Sequence, residues 1–152
     1  MASRDTTTGS NYESIVEMCI KRSCDLNQLG YEDQVSIGEK PGGGKHRVDW
    51  EIFNIKNENI RGLISCKYQG TSGTAEEKIA YEVIKLLHAM KNDSRYVKSW
   101  IIMGGEGWSD GMREFVKFHL PEWIPAMQGK VFILNTDQLI NTNLSLESAA
   151  SK

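Results

Sequence analysis

HRVDWEIF (residues 46–53) and, after a short turn, RGLISCKYQ (residues 61–69) are the two stretches that decide how this chain folds. In the first, Val48, Trp50 and Ile52 alternate with Arg47, Asp49 and Glu51, the period of two expected of a half-buried strand. In the second, Ile64, Cys66 and Tyr68 share one face, and Ser65 and Lys67 share the other. Paired strands would bring an aspartate, a serine and a lysine together on one face. A charged Asp and a charged Lys inside apolar strands are costly unless they pair with each other or with a ligand. That makes them functional candidates. The plainer reading is a cross-strand ion pair, worth about 0.2–1 kcal/mol.

Working outward, residues 34–38 read as a shorter strand, joined to the first stretch by the loop PGGGK (residues 41–45), so three strands form an antiparallel meander. Upstream, Tyr12, Ile15, Val16, Cys19, Ile20 and Leu26 recur at helical spacing, with Ser10 or Asn11 as cap and Gly30 as the left-handed stop. Downstream, Thr74 can cap a helix, with Glu77 closing a capping box and Ile79, Val83, Leu86, Leu87 and Met90 as its buried stripe. WIIM (residues 100–103) is a strand covered on both faces. Ser109 caps a helix that reaches Leu120 and is stopped by Pro121. KVFIL (residues 130–134) is a last strand and residues 137–140 a helical turn. The order αβββαβαβ predicts an α/β fold: one mixed central sheet flanked by helices. Residues 1–9 are expected to be a flexible N-terminus, 10–140 a single domain and 141–152 a polar, flexible tail.

The 18 basic residues face 20 acidic ones in 152, a net charge of −2. The protein is no polycation, so binding nucleic acid would require a local basic surface or a bridging metal. No run approaches the roughly 18 apolar residues of a membrane span. MASRDTTTGS lacks the apolar segment of a secretion signal, and three cysteines suit a reducing interior, so the expectation is an intracellular, cytoplasmic protein. PGGGKH fails as a phosphate loop because Glu39 and His46 occupy its glycine and Ser/Thr positions. GGEGWSD (residues 104–110) has Asp110 where a dinucleotide fingerprint needs its third glycine, and reads as a turn.

Val48-Asp49 on one strand followed by Ile64-Ser65-Cys66-Lys67-Tyr68-Gln69 on the next resembles the core of the PD-(D/E)XK nuclease superfamily, whose members include type II restriction endonucleases, junction resolvases and some homing endonucleases. The resemblance spans roughly residues 10–135 and implies a restriction-endonuclease-like core, αβββαβ. It implies that Asp49 binds metal, that Lys67 is the catalytic lysine and that Gln69 matches a frequent glutamine after it. Val48 replaces the motif's proline. Ser65 stands where its second acid belongs, and serine supplies no negative ligand to a hard cation. Superfamily enzymes with this S-x-K form take a glutamate from the following helix. Glu76, Glu77 and Glu82 are available, the position favouring Glu82 with Glu77 next.

Glu13 is similar in position to a metal-directed glutamate on the first helix, its alternative being a solvated residue favoured by the helix dipole. Glu39 and Glu51 are lesser candidates. The Cys66 carbonyl would add a neutral ligand. The cofactor implied is Mg2+, with Mn2+ as substitute. Lys45, His46 and Arg47, with Lys40, flank the glycine-rich loop as DNA phosphate contacts or as an ordinary solvated hairpin tip, and Gln69 joins them as a DNA-binding candidate. The implied function is a magnesium-dependent DNA endonuclease on double-stranded DNA, of restriction or homing type, acting as a homodimer or larger symmetric assembly. A junction resolvase and an inactive nucleic-acid-binding domain are the alternatives.

Overall fold

A computed structural model describes residues 2–69 and 78–146, with side chains from residue 11 onward. Helix α1 (Ala2–Asn27) leads into the meander β1 (Leu29–Glu39), β2 (Lys45–Asn54) and β3 (Arg61–Tyr68). Helix α2 (Ile79–Asn92) then crosses to β4 (Tyr96–Gly104), which lies parallel to β3. Helix α3 (Asp110–Glu114), a π-turn (Phe115–His119) and helix α4 (Leu120–Trp123) cross to β5 (Val131–Asn135), parallel to β4, and helix α5 (Thr136–Ile140) follows. The five strands stand in sequence order, β1-β2-β3-β4-β5. This is the mixed, helix-flanked sheet expected from the pattern of apolar runs.

Two cores sandwich the sheet. Tyr12, Val16, Cys19, Ile20 and Cys24 of α1 pack on Trp50, Ile52, Ile64, Trp100 and Ile102. On the other face Ile79, Val83, Leu86 and Ala89 of α2 pack on Leu63, Ile101 and Met103. Ile101 and Ile102 thus face opposite cores, which is why WIIM carries no polar position.

Several boundaries differ from expectation. Helix α1 begins at Ala2 and ends at Asn27, and Gln28 rather than Gly30 takes the left-handed position, at φ 57°. Gly30 already belongs to β1, where a Cβ would come within 2.4 Å of the Phe53 ring. Its glycine answers to packing, not to a turn. Pro121 does not stop the helix: the π-turn before it lets the Leu120 N–H reach the Phe115 carbonyl, and the chain stays helical to Trp123. The widened turn accommodates the proline ring, which would meet the preceding carbonyls of a regular helix. Ser109 caps α3 as expected, its side chain accepting from the Met112 N–H at 3.1 Å. The Thr74 cap and Glu77 capping box lie outside the described residues.

Residues 141–146, expected to be tail, fold back over α1. Leu144 and Leu146 are buried in the α1 core. Asn27 donates to the Leu144 carbonyl at 2.7 Å, Ser23 Oγ accepts from the Leu144 N–H at 3.0 Å, and Arg22 donates to the Ile140 carbonyl at 2.8 Å. Apolar residues at 144 and 146, spaced like those of a strand, were enough to seat this segment. No described helix is long and apolar enough to cross a membrane.

Candidate active site

The site forms where β2 leaves β3. Their ladder runs from Phe53↔Arg61 to Trp50↔Ile64 and extends no further towards Asp49. Into the gap the Asp49 carboxylate reaches sideways, and Oδ2 accepts the backbone N–H of Cys66 at 2.7 Å. Strict alternation fails here. Val48 packs in the α2 core, yet Trp50, two positions on, packs in the α1 core. The opposite strand makes the same exchange: Tyr31 lies on the α1 side, Val35 and Ile37 on the α2 side. The pairs Asp33↔Trp50 and Val35↔Val48 leave Gln34 and Asp49 at the level of the exchange.

Asp49 lines a cavity of about 300 Å³ together with Tyr12, Glu13, Glu17, Asp33, Gln34 and Cys66, among others. Glu13 is exposed at this cavity. Tyr12 seals its floor, donating through Oη to the Ile102 carbonyl at 2.8 Å.

Ser65 and Lys67 lie on the α2 face, so the expected meeting of Asp49, Ser65 and Lys67 on a single face is corrected. No ion pair joins Asp49 to Lys67 among the described residues. Instead Lys67 Nζ lies 3.0 Å from Glu82 Oε1, and Lys85 Nζ reaches the same oxygen at 3.0 Å. Glu82 is only 4% exposed. Burial alone would raise its carboxyl pKa, but the two ammonium groups outweigh it and hold the group below the usual carboxylate range. Asp49 shifts the other way. Burial pushes its pKa up, the Cys66 N–H and the Lys67 charge offset only part of that, and Glu82 adds repulsion. A carboxylate left incompletely neutralised, in the field of a second one, favours a cation.

The remaining candidates separate. His46, expected at the surface, is 1% exposed and lies near Glu82, Lys85 and His88 of α2, so it is not displayed as the expected DNA contact would be. The exchange of faces turns its even-numbered position inward with Val48. Neither of its ring nitrogens has a partner among the described residues, and burial holds its pKa below the ordinary value. Lys45 and Arg47 are exposed. Gln69 is buried and ties β3 to the turn after β4: its side chain donates to the Gly107 carbonyl at 2.9 Å, and its own carbonyl accepts the Gly107 N–H at 2.7 Å. That buried role displaces the expected DNA contact. Glu51 pairs with Arg61 at 2.9 Å and accepts from Tyr96 Oη at 2.8 Å, a structural knot away from the gap. Glu77 lies outside the described residues. Sequence reading missed Gln34 altogether, because nothing in a lone glutamine on an edge strand marks it. It also took Tyr12 only as core.

A family model described as a PD-(D/E)XK nuclease superfamily domain matches residues 6–143 of the 152. The chain belongs to the PD-(D/E)XK nuclease superfamily. Its mixed sheet with flanking helices is the restriction-endonuclease-like fold. Membership points to nuclease activity, and nucleases of this superfamily generally use divalent metals. No curated protein matches the chain significantly.

The residues fit such an ion in a particular way. Among the described residues no three His, Cys, Asp or Glu side chains converge as a cage. In a strand, a residue's N–H and C=O point to the same neighbour. The Cys66 carbonyl therefore faces the gap that its N–H enters. Few carboxylates and a backbone oxygen suit an ion that retains several waters, not a closed zinc-type site.

Proposed function

We propose that this protein is a magnesium-dependent DNA endonuclease, cutting double-stranded DNA at specific sequences in the manner of a restriction or homing enzyme and acting as a homodimer. The observation that carries the reading is Asp49 set where β2 and β3 part, its carboxylate on the Cys66 N–H and in the field of Lys67 and Glu82, which pair with each other on the α2 face. Asp49, the Cys66 carbonyl and Glu82 would hold the ion, with Glu13 and Glu77 as further carboxylates. When bound, magnesium supplies positive charge at the scissile phosphate and makes a coordinated water more acidic. Lys67, held beside Glu82, orients the attacking water and steadies negative charge growing on the phosphate. Ser65 contributes no charge, so Glu82 stands in for the missing acid. Exposed Lys45 and Arg47, beside the β1–β2 turn, supply sequence-independent phosphate contacts. One such site cuts one strand, and a two-fold pair of chains cuts both and favours near-palindromic targets.

The test is incubation of mixed plasmid DNA with magnesium, with EDTA, and with the Lys67→Ala variant. Discrete fragments in the first sample alone support the proposal. A smear of fragments would remove the sequence specificity. Cleavage confined to four-way junctions would make the protein a resolvase, and intact DNA that still shifts in a gel would make it a binding domain.

A further inference from the structure

Gln34 is the only described non-glycine residue other than Gln28 with a positive φ, 51° against 57°. Gln28 needs no special account, since it closes α1 in the left-handed conformation that commonly ends helices. Gln34 sits inside a strand, where no turn requires that conformation. For a side chain without the short polar reach of Asn or Asp it is strained. Strain of this kind persists only where its surroundings enforce it, and it clusters at working sites.

Three observations converge on what it does here. Gln34 stands opposite Asp49 at the level where both strands exchange faces. Both residues line the same cavity. The Gln34 side chain lies near enough to the Asp49 carboxylate to offset part of its raised pKa, and that carboxylate already accepts the Cys66 N–H on Oδ2. Held from β3 by the Cys66 N–H, the carboxylate has Gln34 of β1 as its neighbour on the other side. An ordinary extended residue at 34 would keep its strand's alternation and turn its side chain away from this level.

We infer that Gln34 is a positioning residue: its strained backbone turns a carboxamide onto Asp49 and fixes the carboxylate in the orientation that receives the divalent ion. This rests on the nuclease reading above. Partners that orient a ligating carboxylate typically change metal affinity by about 10–100-fold when removed.

The experiment is manganese binding to the intact protein by calorimetry, alongside thermal melting of the metal-free protein, for wild type, Gln34→Gly, Gln34→Met and Gln34→Asn. Glycine adopts positive φ freely, so Gln34→Gly should melt about 2–4 °C higher while binding manganese about tenfold more weakly. Gln34→Met keeps the length and the strain without the amide, so it should bind as weakly with no gain in melting temperature. Gln34→Asn, which tolerates the conformation and retains a carboxamide, should recover part of the affinity. A merely structural glutamine would lose stability and affinity together. If Gln34→Gly melts at or below wild type, or keeps wild-type affinity, the inference is overturned. A wild-type protein that takes up no manganese would overturn the nuclease reading and this inference with it.

Discussion

Lys67 Nζ and Glu82 Oε1 lie 3.0 Å apart, one on β3 and the other on the helix that carries the chain over to β4. The pair ties the motif strand to the crossover, so the lysine is held by an acid that arrives after it in sequence. Lys67→Ala should lower cleavage by at least about a hundredfold, the scale of losing one preorganised charge-stabilising group. Stability should fall by only about 1 kcal/mol, because Lys85 still faces Glu82 and Lys67 is partly solvated. Cleavage rates and urea melts of the same preparation separate the two effects.

Glu82 also sets an acid limit. Its carboxyl pKa is lowered in the folded chain, so it contributes stability above its unfolded value, and that contribution disappears as pH falls through the folded value. Glu82→Gln should therefore be clearly less stable than wild type at pH 7, and the gap should close below about pH 4. Melting temperatures of both proteins from about pH 3.5 to 7 check the convergence.

Asp49 carries the opposite sign. Its raised pKa means that the ionised form is disfavoured by folding at neutral pH, a penalty relieved as pH falls through its folded pKa towards the unfolded value. Asp49→Asn keeps an oxygen for the Cys66 N–H and removes the charge. It should melt at or above the wild-type temperature at pH 7 without metal, and it should abolish cleavage. Added manganese should raise the wild-type melting temperature and leave the variant unchanged.

His46 offers a test that needs no cleavage assay, with Glu82 and Lys85 as its charged neighbours. Both ring nitrogens are buried and unpartnered among the described residues, and the lowered pKa favours the neutral ring in the fold. Its unfolded form takes a proton below about pH 6.5, so it withdraws stability as pH falls from there towards the folded pKa. His46→Met fills similar space with no polar atoms, and should raise stability by about 1 kcal/mol at pH 7 and by more at pH 5. Melts at the two pH values decide it.

Gly104 lies under the Tyr12 ring, where a Cβ would stand 1.9 Å from ring carbon. Gly104→Ala must displace Tyr12 and the start of the packed face of α1, at a cost of about 1–3 kcal/mol. Because Glu13 adjoins Tyr12 at the cavity, manganese affinity should fall as well, in the same calorimetric titration.

The architecture was legible because alternation and apolar runs depend on burial, and burial is what the sheet and its helices share. HRVDWEIF, WIIM and KVFIL each showed strand character within their own few residues, and Asp49, Lys67 and Glu82 stood out as charges where apolar side chains dominate. The site's geometry was not legible. A face exchange at Gln34 and Asp49 leaves no mark on composition, yet it moves His46 inward and parts Asp49 from Lys67. Nor could a chain read locally show that Gly30 answers to the Phe53 ring, that a π-turn accommodates Pro121, or that Leu144 belongs to the core of a helix more than a hundred residues earlier.

That last connection has a consequence for how the molecule is made. Helix α1 leaves the ribosome long before its covering segment and keeps an open flank until that segment emerges, because Asn27, Ser23 and Arg22 find their partners only in residues 140–144. A nascent chain that stalls short of Leu146 therefore shows its greasy side to chaperones and proteases. Only polypeptides synthesised past that point close.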